Sequence, residues 1–215
     1  MARRNALVLA IAGGLGLSSA APALEQLGYR VEISDGKFEI RDYPPTVVAE
    51  VVRDGDRNAS VSAAFRTLAD FIFAKDRAGP KIAMTAPVTQ TPEEPEETPA
   101  SPLVASSGEW TVRFIMPDGS TLASLPKPSG DVRLAEVPAA HVAAVRFSGR
   151  WTDSNFAAAQ AELQAWIAAR RLCATGPATY AYYDPPFKPW FMRRNEVMIP
   201  VAPASRSAEG CMASS

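Results

Sequence analysis

An internal repeat is the feature that most restricts what this chain can fold into. Residues 38–72 and 132–167 share prolines, alternating small apolar residues, a turn glycine and the apolar positions of a helix. The matched pairs keep one offset until a single inserted residue; they are Pro44 with Pro138, Val48 with Val142, Ala49 with Ala143, Val51 with Val145, Gly55 with Gly149, Leu68 with Leu163, Phe71 with Trp166 and Ile72 with Ile167. Matches spread over so long a stretch favour a duplicated unit over chance.

Each unit predicts a strand, a tight turn, a second strand and a helix. In the first unit, polar and apolar residues alternate over 38–43 and again over 46–52, with a proline pair between them. Asn58 or Ser60 then caps a helix that runs to about residue 74 with apolar residues at helical spacing. In the second unit, Asp153 or Ser154 caps a helix to about residue 171.

Two further strands follow each helix. They are expected over 82–90 and 110–116 in the first half, and over 179–183 and 196–201 in the second. The Pro-, Glu- and Ser-rich run near 91–108 is expected to be a mobile loop. The predicted fold class is therefore α+β: a distorted eight-stranded antiparallel β-barrel with two external helices and a pseudo-twofold internal repeat.

The N-terminus has the pattern of a secretory signal peptide. Arg3 and Arg4 precede an apolar run over 6–17, and Ala21-Pro22-Ala23 fits a cleavage site. We expect a signal peptide over 1–23 and a periplasmic or secreted protein; an uncleaved N-terminal anchor is the alternative. The domain would span 24–203, with halves near 29–116 and 130–201, and residues 204–215 would form a disordered tail.

Charge and cysteine content restrict the partners. The formal net charge is −1, with 22 basic and 23 acidic residues, so a nucleic-acid partner is not expected. No stable membrane insertion is expected once the signal is removed, and the sequence specifies no protein partner. Cys173 and Cys211 leave both a disulfide and two unpaired thiols open.

Four segments carry a family resemblance. KIAMTAPV (81–88), VRFIMP (112–117), VRFSG (145–149) and YDPPFKPWFMRRNEV (183–197) resemble, in order and spacing, the SOUL/haem-binding protein family. The resemblance implies haem or another tetrapyrrole as ligand and a distorted barrel with two helices. It also implies a shallow apolar site near the first helix and the loop of the last motif.

The loop of the last motif contains residue types that suit a flat ring with carboxylates at one edge. Its apolar members could cover the ring and its cations could meet the carboxylates; the candidates are Phe187, Trp190, Phe191 and Met192 for the first role, and Lys188 and Arg193 for the second. In the alternative interpretation the loop closes the barrel, its aromatic residues fill the core, and Arg194 and Glu196 pair with each other or cap backbone groups.

The first helix adds Phe65, Arg66 and Ala69 as candidate ligand contacts. The sequence departs from the better-known animal members here, since Ser62 and Asp70 stand where those members carry basic residues. His141, the only histidine, is a candidate axial ligand to iron. Its strand position, however, shares a face with Ala143 and Val145, which favours a core residue.

Function follows from these residues and the resemblance together. We expect a haem or tetrapyrrole binder that acts as carrier, buffer or scavenger, and more readily a binder than an enzyme, because no nucleophile with an adjacent base is visible. Two alternatives stay open: an enzyme that alters a tetrapyrrole, for example by removing its metal, and a binding module for another amphipathic molecule.

Overall fold

A computed structural model describes residues 24–93 and 107–203 of the chain. It confirms an α+β protein built mostly of antiparallel sheet with two helices. The strands are β1 (Glu25–Gln26), β2 (Arg30–Asp35), β3 (Phe38–Tyr43), β4 (Thr46–Asp56), β5 (Thr85–Ala86), β6 (Val88–Pro92), β7 (Ser107–Ile115), β8 (Arg133–Val137), β9 (Ala140–Phe147), β10 (Leu172–Ala174), β11 (Thr179–Tyr182) and β12 (Asn195–Pro203). The helices are α1 (Arg57–Ile72) and α2 (Asp153–Ala169).

One long sheet contains ten of these strands. Its path runs β2-β3-β9-β12-β11-β6-β7-β4-β8, and β10 adds a second partner to β12. All pairs in this sheet are antiparallel, while β1 and β5 form a separate short parallel pair. The path has end strands, β2 and β8, so the closed eight-stranded barrel stays a prediction, as does the duplication.

Both helices pack on the same face of the sheet and form the core with it. Leu68 and Phe71 of α1 and Leu163 of α2 are fully buried there. Phe156 of α2 meets Tyr180 of β11 edge-on, with ring centroids 5.2 Å apart. The helix stripe predicted from apolar spacing is therefore the core face, because only that side removes apolar area from water.

The helix starts differ from the predicted caps. Asp56, at the end of β4, caps α1 by accepting a hydrogen bond from the Ala59 N–H at 2.8 Å. Thr152 caps α2 by accepting one from the Asn155 N–H at 3.3 Å. Asn58, Ser60, Asp153 and Ser154 lie inside the helices, so these predicted caps were wrong by one to four residues. Residues of capping type lie close together at both starts, at 56, 58 and 60 and over 152–154, so the sequence alone does not fix where each helix begins.

The opposite face of the sheet is also buried but mixes polar with small residues. Its members alternate with the core residues along each strand; they include Arg41, Thr89, Thr111, Ala144, Ala181 and Glu196. The N-terminal segment 25–29 covers part of this face. The ring of Tyr29 lies 4.4 Å from the Arg41 guanidinium carbon, and Gln26 accepts a hydrogen bond from Arg194.

Several predictions concern residues outside the described ranges. The signal peptide (1–23), the tail (204–215) and most of the predicted loop lie there, while the ends of that loop belong to β6 and β7. Cys173 on β10 forms a disulfide bond, and Cys211 lies outside the described residues. None of the helices in the described part has the length and apolar character needed to cross a bilayer.

Candidate functional site

The loop between β11 and β12 is held in shape by its own polar groups. Asp184 accepts hydrogen bonds from the Lys188 ammonium and from the Arg194 N–H, both at 2.6 Å. The Arg193 guanidinium donates to the carbonyl oxygens of Lys188, at 2.8 Å, and Pro186. These polar contacts fix the conformation of the loop, although the loop has no apolar core of its own.

The same loop exposes four large apolar side chains. Phe187 is 88% exposed, Phe191 60%, Met192 58% and Trp190 47%. A short 3-10 helix, Trp190–Met192, carries three of them. The alternative prediction, in which the aromatic residues of this loop fill the core, was wrong, because none of these side chains is buried.

An open cavity of about 580 Å³ lies between this loop, the β2–β3 turn and the end of β9. Its volume is in the range of small-molecule sites. Aromatic or apolar and basic side chains dominate the lining; the members that matter here are Phe147, Phe191, Met192, Lys37, Arg146 and Arg193.

A buried ion-pair network forms the floor of the cavity. Arg41 donates to both carboxylate oxygens of Glu196, at 2.6 and 3.1 Å, and Arg194 donates to the same carboxylate at 2.9 Å. Burial alone would raise the pKa of Glu196, but hydrogen bonds and charge from Arg41 and then Arg194 lower it overall. Burial raises the pKa of Tyr43, which accepts from Arg41, to about 12.

The cations at the cavity differ in how far they are already engaged. The Lys188 and Arg193 side chains make the contacts that shape the loop, and Lys37 pairs with Glu162. The Arg146 side chain is exposed and has no polar partner among the described residues. Arg146 is therefore the cation most available to an anionic ligand.

The three candidates on α1 lie apart from this cavity. Phe65 is 38% exposed and meets Phe114 of β7 edge-on, with ring centroids 5.2 Å apart. Arg66 is exposed, whereas Ala69 is buried in the core. None of the three lines the cavity. The structure thus brings Phe191, Met192 and Arg193 together at the cavity, with Lys188 behind them in the same loop.

His141 is placed away from the cavity as well. Its Nδ1 atom lies 2.7 Å from an Asp42 carboxylate oxygen, and Glu32 lies beyond it at 3.7 Å. The hydrogen bond from His141, followed by that from Arg30, lowers the pKa of Asp42. The side chain is 35% exposed rather than enclosed, because His141 stands near the strand end.

Sequence reasoning missed Lys37, Arg146 and Arg41 as members of the site. Lys37 lies in a turn and the two arginines lie on strands, so each reads as an ordinary surface charge along the chain. The one available signal was the alternation in β3 and β9, which places Arg41 and Arg146 on the face opposite the core.

Fold and site together define a class: an α+β domain with one long antiparallel sheet, two helices on one face and an open basic cavity. The chain belongs to the SOUL heme-binding protein family, whose model matches residues 24–200. This confirms the resemblance, and heme binding is a property of that family. Among curated proteins, no sequence matches this chain.

Solved structures show the same fold at low sequence identity. The C-terminal domain of EcmrR superposes with a TM-score of 0.61 at 14% identity, covering 81% of this chain and 98% of that domain. An uncharacterised conserved protein from Listeria innocua gives 0.56 at 14% identity, covering 77% and 92%. A protein from Listeria innocua described as a hydrolase encoded by lin2189 gives 0.53 at 14% identity, with the same coverage.

Proposed function

We propose that this protein is an exported binder of haem or another tetrapyrrole, acting as a carrier, buffer or scavenger, and that the cavity beside the β11–β12 loop holds the ligand. The observation that carries the proposal is the composition of that cavity. It places apolar side chains beside cations, of which Arg146 has no polar partner in the described part of the chain. A tetrapyrrole needs this combination, because its ring is apolar and its propionates are anionic.

The residues present fit the ring and the propionates. Phe191 and Met192 are more than half exposed on the cavity side of a stiff loop, so they offer apolar contact at a low ordering cost. Arg146 would meet one carboxylate, and Lys37 would meet the other by exchanging its exposed pair with Glu162. When bound, haem would supply its iron, and these residues would bind and orient the ring.

Histidine ligation of the iron is not part of this proposal. The only histidine, His141, does not line the cavity, and its Nδ1 atom is engaged with Asp42. A ring held by apolar contact and ion pairing would bind with or without iron. Metal-free protoporphyrin is therefore a ligand of the same class.

Export and duplication belong to the same proposal. The segment 1–23 supports export by its pattern alone. Duplication is supported by element order, since residues 38–115 and 133–203 each run strand, strand and helix, followed by three further strands. In addition, β3 pairs with β9 while β8 pairs with β4, so the first strand of each unit adds to the second strand of the other.

The test is a titration of residues 24–215 with haem and with protoporphyrin, followed by absorption spectroscopy. We expect saturable one-to-one binding of both rings. Arg146→Ala should weaken binding about tenfold, since one charge-assisted pair contributes roughly 1.5–3 kcal/mol. Arg133→Ala is the matched control, because Arg133 is also an exposed strand arginine but does not line the cavity.

The outcomes separate the alternatives. Equal affinities of the Arg146→Ala and Arg133→Ala variants would remove this cavity from the proposal. Release of iron from bound haem would favour a metal-removing enzyme. Comparable affinity for unrelated flat amphipathic molecules, with no preference for tetrapyrroles, would favour a general binding module.

A further inference from the structure

Two exposed apolar residues of the β11–β12 loop do not belong to the cavity. Phe187 and Trp190, which we call the loop tip, are 88% and 47% exposed and do not line the cavity. Folded proteins in water rarely hold neighbouring large apolar side chains so exposed unless they contact something else. The loop tip therefore has an exposure that the proposed ligand site does not explain.

The loop presents these side chains without needing to rearrange. The Lys188 N–H donates to the Pro185 carbonyl at 3.1 Å, and the Met192 N–H donates to the Pro189 carbonyl at 2.9 Å. From outside the loop, the Gly149 N–H donates to the Trp190 carbonyl at 3.1 Å. A stiff loop loses little entropy when its tip becomes buried in a partner.

Two arginines lie beside exposed apolar side chains of the loop. The Arg150 guanidinium carbon lies 5.6 Å from the centroid of the Trp190 ring, and Arg146 lines the cavity beside Phe191. The neighbouring acids already have partners; they are Asp184 with Lys188, Glu39 with Arg41, and Glu162 with Lys37. The surface around the tip therefore combines projecting aromatic rings with positive charge.

We propose that the loop tip docks the protein peripherally on bilayers containing anionic lipids, with Phe187 and Trp190 entering the headgroup region. Tryptophan is favoured at that depth because its ring is apolar and its N–H remains polar. Arg146 and Arg150 would meet lipid phosphates, and the attraction would fall off with added salt. The docking needs no haem and goes beyond the binding of a small ligand.

The experiment measures co-sedimentation of the ligand-free protein with phosphatidylcholine vesicles, prepared with and without phosphatidylglycerol. We expect binding to the anionic vesicles that weakens as salt is raised. Phe187→Ser should lower that affinity about tenfold, because it removes the most exposed ring from the interface. Leu122→Ser is the matched control, since Leu122 is 43% exposed but lies in the β7–β8 connection.

Tryptophan emission gives a second readout of the same contact. Trp110 and Trp166 are buried, and Trp151 is engaged through its ring N–H with Asn195. A shift of the emission to shorter wavelength upon vesicle binding should therefore come from Trp190 and vanish in Trp190→Phe.

Three results would overturn the proposal. They are no binding to anionic vesicles at low salt, an equal loss of binding in Leu122→Ser, and loop-dependent self-association by sedimentation equilibrium in place of vesicle binding. The last result would assign the tip to a second copy of the chain. Failure of the haem titration with vesicle binding intact would leave the docking proposal standing, since the two assays use separate ligands.

Discussion

At the scale of single residues, Glu196 shows how a buried charge is tolerated under the cavity. Its side chain is fully buried, and Arg41 and Arg194 supply three hydrogen bonds to its carboxylate. Tyr183 donates a fourth at 3.0 Å. Removing a charge from water costs several kcal/mol, and these four hydrogen bonds, three of them from arginines, offset that cost.

We predict that Glu196→Gln destabilises the fold by roughly 3–5 kcal/mol at neutral pH, because it removes the charge that Arg41 and Arg194 share and leaves Arg41 with Glu39 alone. The effect should depend on pH. Because the folded-state pKa of Glu196 lies below its ordinary value of 4.5, the stabilisation is fully present above about pH 4.5 and is lost as pH falls through the depressed pKa. Urea unfolding from pH 7 to pH 3 measures both effects.

Lys75→Ala is the control for this series. The pair of Lys75 with Asp70 is exposed, so its loss should cost no more than about 1 kcal/mol. The wild-type and Glu196→Gln free energies of unfolding should converge as the solution becomes acidic. Parallel curves across the whole range would contradict the assigned role of this carboxylate.

At the scale of elements, the junction of β4 and α1 is set by local capping but also affects how the two helices contact each other. The strand ends and the helix begins without a connecting loop, and Asp56 performs the capping. The next residue, Arg57, is fully buried; it donates to the Trp151 carbonyl and to Asp153 at the start of α2, each at 2.8 Å. Because Arg57 is the first residue of α1, the place where α1 begins also determines the contact between the N-termini of the two helices.

We predict that Asp56→Ala lowers the free energy of unfolding by about 1 kcal/mol, within the range of roughly 0.5–2 kcal/mol typical of N-cap losses. The reason is the unsatisfied Ala59 N–H that the substitution leaves at the helix start. Asp54→Ala, which removes an exposed carboxylate two residues earlier, should change stability by less than about 0.5 kcal/mol. Chemical denaturation of both variants measures these changes, and an equal loss of unfolding free energy in the two variants would argue against Asp56 as the cap.

At the scale of the whole molecule, the sheet is buried on both faces by different means. The two helices cover one face with an apolar core, while the N-terminal segment contributes to covering the polar face. Tyr29 is central to this second cover, since its hydroxyl accepts from Arg194 and its ring packs against Tyr43 at a centroid distance of 5.1 Å. It also lines the proposed ligand cavity.

We predict that a protein beginning at Arg30 is less stable than one beginning at Leu24 by at least about 2 kcal/mol, because it loses the Tyr29 ring from the buried face. Urea unfolding of the two forms provides the comparison. Tyr29→Phe in the longer form isolates the hydroxyl and should cost only about 1 kcal/mol. Identical stability of the two lengths would show that segment 24–29 contributes nothing to the fold.

The sequence by itself determined the α+β class, the order of most elements and the family. These follow from local signals: alternation in β3 and β4, helical spacing in α1 and α2, and the long motif at 183–197. It did not predict β2, although Val31 and Ile33 alternate there with polar residues, and the structure leaves every residue of this end strand exposed. Nor did it identify the residue that caps each helix, because other side chains able to cap lie within four residues of Asp56 and of Thr152.

Only the tertiary structure decided the membership of the cavity and the location of the charges. Lys37, Arg146 and Arg193 are far apart along the chain and meet because β3 pairs with β9 and β9 pairs with β12. The same pairing places Arg41 beside Glu196 and leaves His141 beside Asp42, away from the cavity. Pairing of distant strands depends on the balance of burial and hydrogen bonding over the whole sheet, which no local window of sequence contains.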